Sequence, residues 1–460
     1  MTDHLLEVDN LRTRFYTEEG TVKAVDGLSY RIESGEKFGI VGESGAGKSV
    51  ASLSLMRLID NPGHIAGGSI RFCDEDAVEA FAADFPNHTA DVEQLRAEHD
   101  PTELVEQLLE RGVAPTEIVP GAGIGPDADA REIVRETELG VRDLVDSRHA
   151  ATLGLVDEHD FVLFDGDDRY IEITRATDAA MRRLRGGHIA MIFQDPQTAL
   201  NPVYTVGEQI AEAIRTHLDL PQQDVRARAV EMLEQVGIPD PDERYDNYPH
   251  EFSGGMQQRA VIAVALSCDP DLIVADEPTT ALDVTIEAQI LDLLDDLTTE
   301  RDTAIQLITH DLGVVAGLCD RVAVMYAGKP VEVAPVEELY YDPKHPYTVG
   351  LMSSIPRIGD GRARLDTIPG TMPDLVELPP GCSFHPRCPY AEDVCTQKEP
   401  PLVDPETAVE YDPDSVETHA VSCLAYTGDL RGDLDFDVAV ADDIDPVNAT
   451  DGGHPGGESE

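Results

Sequence analysis

The chain has 460 residues, 41% of them apolar, enough for two or three folded units with sizeable cores. Its 90 Asp and Glu against 34 Lys and Arg leave a formal net charge of −56. That balance excludes sequence-independent binding to nucleic acid or anionic lipid. It fits a protein folded in molar salt, as in a salt-accumulating halophile, where screening shortens the reach of self-repulsion. A disordered acidic chain is excluded too, because the motif-bearing segments are rich in Val, Ile and Leu.

The first residues carry no basic n-region and no long apolar stretch, and no run approaches the ~18 apolar residues of a membrane span. The expectation is an intracellular protein that meets a membrane only through partners. Seven cysteines in such a chain point to metal ligation before disulfides.

Residues 5–41 read as strands and turns, with strands at 6–9, 12–16, 22–25 and 28–32. Phe15 or Tyr16 could stack on an adenine ring or simply pack in the core. An apolar run at 38–41 leads into Gly42-Glu43-Ser44-Gly45-Ala46-Gly47-Lys48-Ser49, and the residues from Val50 to Met56 read as a helix. A strand, a GxxxxGK[ST] loop and a helix make a P-loop. Its N–H groups and the helix N-terminus cradle phosphate, Lys48 reaches the β- and γ-phosphates, and Ser49 offers its hydroxyl to Mg²⁺.

Residues 67–72 form another strand. The stretch from Cys73 to about Leu163 differs in character, with acidic amphipathic helices near 91–96, 102–111 and 128–147 and a Gly/Pro break at 120–126. It holds no phosphate-binding or catalytic pattern and reads as an inserted subdomain, a solvated or protein-contacting surface dispensable for hydrolysis.

Chemistry-bearing residues resume at 189–196, where an apolar strand delivers Gln194 to a place suited to Mg²⁺ and an attacking water. Helical segments run from about 205 to 248. Ser253-Gly254-Gly255 then caps an apolar helix, a second anion site that one triphosphate in one chain does not need, whereas two facing chains would use both. An apolar strand ends in Asp276 and Glu277, the first for Mg²⁺ through water and the second as general base. Thr280-Ala281-Leu282-Asp283 follows, and another apolar strand ends at His310, suited to a γ-phosphate.

Taken in order, GESGAGKS, Gln194, FSGGM, LIVADE, TALD and His310 resemble the nucleotide-binding subunit of ATP-binding cassette (ABC) transporters over residues 5–335. The resemblance implies an α/β fold, a P-loop NTPase (RecA-like) core with an antiparallel β subdomain and a helical subdomain. It implies that residues 42–50, with Phe15 or Tyr16, bind ATP and that Ser49, Gln194 and Asp276 hold Mg²⁺. Glu277 is then the base and His310 the switch. Ser253, Gly254 and Gly255 clasp the ATP of the opposite subunit, and Asp283 belongs with the nucleotide-contacting residues. Phe252 and Met256 depart from the commonest LSGGQ signature, and the Met matches the peptide-importer branch.

Residues 343–356 and 368–374 resemble the C-terminal extension of oligopeptide/dipeptide importer ATPases. By their clustering, Cys382, Cys388, Cys395 and Cys423 suit an Fe–S cluster or zinc. The branch implies a [4Fe–4S] cluster, with Zn²⁺ as the alternative. Losing it is expected to leave nucleotide binding largely unchanged. Cys73, Cys268 and Cys319 lie apart and are expected to be unligated. The expected organisation is an ATPase domain at 1–335 containing the insertion, the extension at 336–427, and an acidic disordered tail at 428–460. The implied partners are a related second ATPase subunit, two transmembrane permease subunits and, through them, an extracellular substrate-binding protein, with no nucleic acid. The expected location is the cytoplasmic face of the cell membrane. Nickel or oligosaccharide as cargo remains open. A soluble DNA-repair or chromosomal ABC ATPase is disfavoured, because the insertion lacks sustained heptads and paired CxxC motifs.

Overall fold

Thirteen strands among the described residues form two sheets. In chain order they are β1 His4–Thr17, β2 Gly20–Glu33, β3 Lys37–Val41, β4 Gly63–Phe72, β5 Thr89–Asp91, β6 Val162–Asp165 and β7 Asp168–Glu172. β8 Ile189–Ile192, β9 Leu272–Asp276, β10 Ala304–Thr309, β11 Arg321–Tyr326, β12 Lys329–Pro335 and β13 Ala420–Val421 follow. The computed structural model describes every residue except 1–3, 120–123, 148, 158, 281, 354–367, 414, 416–417, 433 and 435–460. Parts of the expected Gly/Pro break and most of the expected acidic tail therefore lie outside the described residues.

The larger sheet has the order β13-β12-β11-β3-β10-β9-β8. β11, β3, β10, β9 and β8 run parallel, while β12 and β13 add on antiparallel. Every residue of β9, β10 and β11 is buried, which is why these strands read as unbroken apolar runs rather than alternations. Their C-terminal ends open one rim of the sheet, where ligands of open α/β sheets bind. Gly42, Glu277 and His310 follow β3, β9 and β10 at that rim.

The other sheet, β2-β1-β4-β7-β6-β5, is antiparallel except for the short β5–β6 pair. The four short strands expected at 6–32 are two long ones. Their register shifts around Asn10, which has φ 47°, opposite a left-handed Gly27. A bulge bends a strand without ending it, and a local reading mistakes the bend for a turn. Tyr30 stacks on Phe38 and donates to Gln306 Oε1 at 2.6 Å, and Gln306 donates to Ser52 Oγ at 3.1 Å. Thr13 and Ser54 also share a buried hydroxyl contact of 2.8 Å. These polar ties fix the helix Lys48–Leu55 against both sheets.

Helices Val206–His217, Gln222–Gln235 and Gly254–Leu266 bury Ile210, Ile214, Ala229, Leu233 and Ile262 in the principal core. Thr205 and Ser253 cap the first and third of them. The segment expected to be an insertion is of mixed character. Its first helix, Glu75–Asp84, sends Ala77, Val78 and Phe81 into the core that contains Phe38 and Ile40. Residues beyond 91 build a separate core from Val92, Leu104, Leu108, Ile133 and Leu144, which meets Tyr170 of β7. Asp146 there reaches back to Arg71 at 2.5 Å, whose other side holds Glu7 at 2.6 Å. The C-terminal extension is built into the protein as well: β13 pairs with β12, and Tyr347 and Phe384 lie in the principal core.

Candidate nucleotide site

Backbone shape comes first in the 42–49 loop. Gly42, Gly45 and Gly47 have φ of 155°, 85° and 100°. A Cβ on Gly47 would stand 2.1 Å from the Ala24 carbonyl oxygen, and one on Gly42 2.3 Å from that of Met325. Among the described residues, no backbone carbonyl accepts from the N–H of Gly45, Gly47, Lys48 or Ser49. Lys48 folds back on the loop, donating to the carbonyls of Gly42 (2.8 Å) and Glu43 (3.2 Å). Burial lowers its pKa, against the pull of Glu277, Asp276 and Glu43. A loop of free donors around a buried ammonium fits a polyphosphate.

The acids expected to work with this loop meet it. Ser49 Oγ donates to Asp276 Oδ1 at 3.0 Å. Burial raises the Asp276 carboxyl, the Ser49 hydroxyl opposes that, and the neighbouring Glu277 adds to it. Two carboxylates at a strand end, one of them buried, suit a divalent cation. Glu277 has φ 45° and its N–H donates to the Ile308 carbonyl, which turns the side chain off the end of β9. Its Oε2 accepts from Gln194 Nε2 (2.9 Å) and from Thr280 Oγ1 (2.9 Å), while Oε1 meets His310 Nδ1 at 3.2 Å. Gln194, Asp276, Glu277 and His310 come from the ends of β8, β9 and β10 and form one constellation with Ser49 and Lys48.

Other expected site residues stand apart from it. Ser253 caps its own helix through Met256 N–H, and Ser253 and Gly254 are exposed. Asp283 likewise caps the helix Val284–Arg301 through Ile286 N–H, and Ala281 lies outside the described residues. Tyr16 is exposed and stacks on His64, while Phe15 packs near Gly63. Past the Gln194 loop, a groove of about 830 Å³ is lined by Val203, Tyr204, Arg215, Arg226, Tyr245 and Tyr248. Val203 and Tyr204 are 71% and 51% exposed.

Cys382, Cys388, Cys395 and Cys423 all line one cavity of about 20 Å³, closed by Phe384, Leu424 and Leu434. Burial pushes the Cys388 thiol up to about 11 and that of Cys423 to about 12, and the thiols oppose one another's ionisation. Backbone N–H groups of Phe384, Tyr390 and Ala425 oppose this rise at Cys382, Cys388 and Cys423. Among the described residues, no three of these sulfurs lie mutually within 4.8 Å.

Three residues at the site escaped the sequence reading. Thr280 was visible in its motif, but its bond to Glu277 was not. Arg387 and Tyr347 reach Glu43 from the C-terminal extension, and no local pattern could have flagged them. Their contacts argue against the expected independence of the cysteine segment and the P-loop.

Comparison with known proteins agrees with this geometry. The ABC transporter family matches residues 25–155 and 159–280, and the C-terminal region of oligopeptide/dipeptide transporters matches 331–395. A Bacillus subtilis protein named dipeptide transport ATP-binding protein DppD is 40% identical over 86% of this chain and 90% of its own length. A probable peptide ABC transporter ATP-binding protein of Sinorhizobium fredii is 41% identical over 87% of this chain and 91% of its own. A solved dimeric ATP-binding cassette with ADP and Pi aligns at TM-score 0.46 and 18% identity, over 72% of this chain and 98% of that one. This chain belongs to the ABC transporter family of ATP-binding proteins.

Proposed function

We propose that the chain hydrolyses ATP to drive import of dipeptides or oligopeptides, as a peripheral subunit on the cytoplasmic face of a membrane. The observation that carries this is the meeting of Lys48, Ser49, Gln194, Asp276, Glu277 and His310 at one rim of the parallel sheet. Residues 42–50 hold the phosphates, and Phe15 or Tyr16 is read as stacking on the adenine ring. Ser49 and Asp276 would hold Mg²⁺, which would supply charge neutralisation to the phosphates. Glu277 takes the proton of the attacking water as its oxygen bonds the γ-phosphorus and the bond to the β-phosphate oxygen breaks. Gln194 and His310, each bonded to one Glu277 oxygen, hold that carboxylate in line. Ser253, Gly254, Gly255 and Asp283 serve the ATP of a second, related subunit, a role supported by the outward exposure of Ser253 and Gly254.

The peptide cargo is supported by the names of the relatives and by the match at 331–395. Among the described residues no helix is long and apolar enough to cross a membrane. The path is assigned to two permease subunits that receive peptide from a substrate-binding protein. The groove beside Val203, Tyr204 and Tyr248 offers exposed apolar side chains for a permease segment. The test is ATP turnover in the reconstituted transporter. Peptide-loaded binding protein is expected to stimulate it and Lys48→Ala to abolish it, whereas stimulation only by nickel or an oligosaccharide would change the cargo.

Cys382, Cys388, Cys395 and Cys423 are read as ligands of a [4Fe–4S] cluster. A single zinc held by the same four sulfurs is the alternative reading. The N–H groups at these cysteines favour thiolates, and a cluster offsets their mutual repulsion. Anaerobically purified protein is expected to be brown, with about four irons and four sulfides per chain by the four-cysteine rule. Stoichiometric zinc in colourless protein would replace this reading. The charge of −56 is read as adaptation to molar salt, and the melting temperature is expected to rise with KCl.

A further inference from the structure

Glu43 occupies one of the free positions of the GxxxxGK[ST] pattern and puts a carboxylate into the loop. A carboxylate in a loop that binds a polyanion repels it unless a cation neutralises the carboxylate. Here that cation comes from 344 residues away. Arg387 grips Glu43 with both terminal nitrogens, Nη1 to Oε2 at 2.6 Å and Nη2 to Oε1 at 3.1 Å. Nε donates to the Pro369 carbonyl at 2.9 Å and Nη1 also to the Tyr326 hydroxyl at 3.5 Å, and the side chain is 5% exposed against 33% for Glu43. Tyr347, fully buried, accepts from the Glu43 N–H at 2.9 Å. The hold therefore has a planar two-point contact on the side chain and a third on the backbone.

Arg387 is followed directly by Cys388. Residues 382–388 form one tight turn, in which the N–H groups of Arg387 and Cys388 donate to the Phe384 carbonyl and that of His385 to the Cys382 carbonyl. Two of the four cysteines thus end the turn that carries Arg387. Its ring neighbours, Tyr326, Tyr347 and Phe384, pack at centroid distances of 4.7–5.5 Å beneath the P-loop.

We propose that Arg387 is a positioning residue for nucleotide binding: it neutralises and fixes Glu43, so that occupancy of the cysteine site sets the affinity of the P-loop. This rests on reading residues 42–49 as the phosphate loop and the four cysteines as a metal site. The test is equilibrium binding of a fluorescent ATP analogue to full-length, anaerobically purified protein, with iron content and melting temperature recorded for every variant. Arg387→Gln is expected to weaken binding by roughly tenfold, the order set by baring one carboxylate near the phosphates. Glu43→Gln in that background is expected to recover most of the loss, because the bare carboxylate is gone; a merely stabilising ion pair would give no such rescue. Arg387→Lys, which keeps the charge but not the fork, falls between. Cys388→Ser is expected to weaken binding in the wild-type background and not in the Glu43→Gln background. Wild-type affinity in Arg387→Gln, an unrescued loss in the double variant, or unchanged affinity in Cys388→Ser each overturns the proposal. Lys48→Ala with wild-type affinity would instead overturn the phosphate-loop reading, and metal-free wild-type protein the cysteine reading.

Discussion

Replacing Glu277 by Gln keeps the volume and most of the hydrogen bonding at the end of β9 and removes only the proposed base. The carboxylate now accepts from Gln194 and Thr280 on one oxygen and meets His310 on the other. A glutamine carbonyl oxygen can still take the first two, while its amide turns toward His310, so the fold should lose about 1 kcal/mol at most. The backbone bond from Glu277 N–H to Ile308 is untouched. Loss of a positioned base costs roughly 10²–10⁴ in rate, or about 3–5 kcal/mol of barrier. ATP affinity should stay near wild type, since Lys48, Ser49 and the loop N–H groups are unchanged. The assay is phosphate release by the reconstituted transporter in molar salt, beside light scattering of the subunit mixed with its partner ATPase subunit and ATP. The variant should hydrolyse at least a hundredfold more slowly by that base-loss figure and persist as an ATP-bound dimer. Hydrolysis at the wild-type rate would remove Glu277 from the role of base.

Gly47→Ala should cost hydrolysis about 10²-fold, because its Cβ would sit 2.1 Å from the Ala24 carbonyl oxygen and the loop must move by about 1 Å. Gly45→Ala, also left-handed but in open space, should cost only about 1–2 kcal/mol of backbone strain; equal nucleotide affinities for the two variants would contradict the geometry. Excising residues 92–156 with a short Gly/Ser bridge should leave ATP turnover within about twofold, since that segment's core is separate and loops tolerate length changes, while stability drops as Arg71 loses Asp146. A folded but inactive excision variant would give the segment a gating role. Glu7 is pushed up by burial, but Arg71 and Arg31 outweigh this and hold its carboxyl below the ordinary 4.5. Its contribution is therefore full above pH 4.5 and lost as pH falls through the depressed value. Glu7→Gln should cost about 3 kcal/mol at pH 7, and the gap to wild type should close on acidification in denaturant titrations.

The half of the site proposed to be catalytic was legible because parallel strands buried on both faces leave a plain trace. Each is a short apolar run with a polar residue at its end, and Gln194, Asp276, Glu277 and His310 all follow such runs. The P-loop was legible for another reason: its donors, its glycines and its lysine are contiguous. Bulges were not legible, since Asn10 and Gly27 look like turn residues when the partner strand is unknown. Nor was the division of the 73–163 segment. Helix Glu75–Asp84 and the helices after Asp91 have similar acidic, amphipathic patterns, and only the fold decides that Phe81 joins one core and Leu104 another.

The hold on Glu43 lies furthest from any local rule, and it bears on how a chain of net charge −56 binds a polyanion at all. If the chain works in molar salt, as proposed above, the Debye length is about 3 Å and the summed charge of the surface hardly reaches the P-loop. Direct contacts then set the electrostatics of binding. Within the loop those contacts are the backbone N–H groups, Lys48 and one adverse group, Glu43. Lys48 is the one cationic side chain within the loop, so a bare carboxylate at Glu43 would offset much of its pull on phosphate. Arg387 cancels it at 2.6 Å, from a side chain screened by protein rather than by salt. A lysine on a solvated surface could not do the same work, because salt would screen it and it lacks the fork that pins both carboxylate oxygens. The arginine must therefore come from a packed element. In this fold the element packed beneath the P-loop is the cysteine-bounded turn at 382–388, which joins phosphate binding to the state of those cysteines.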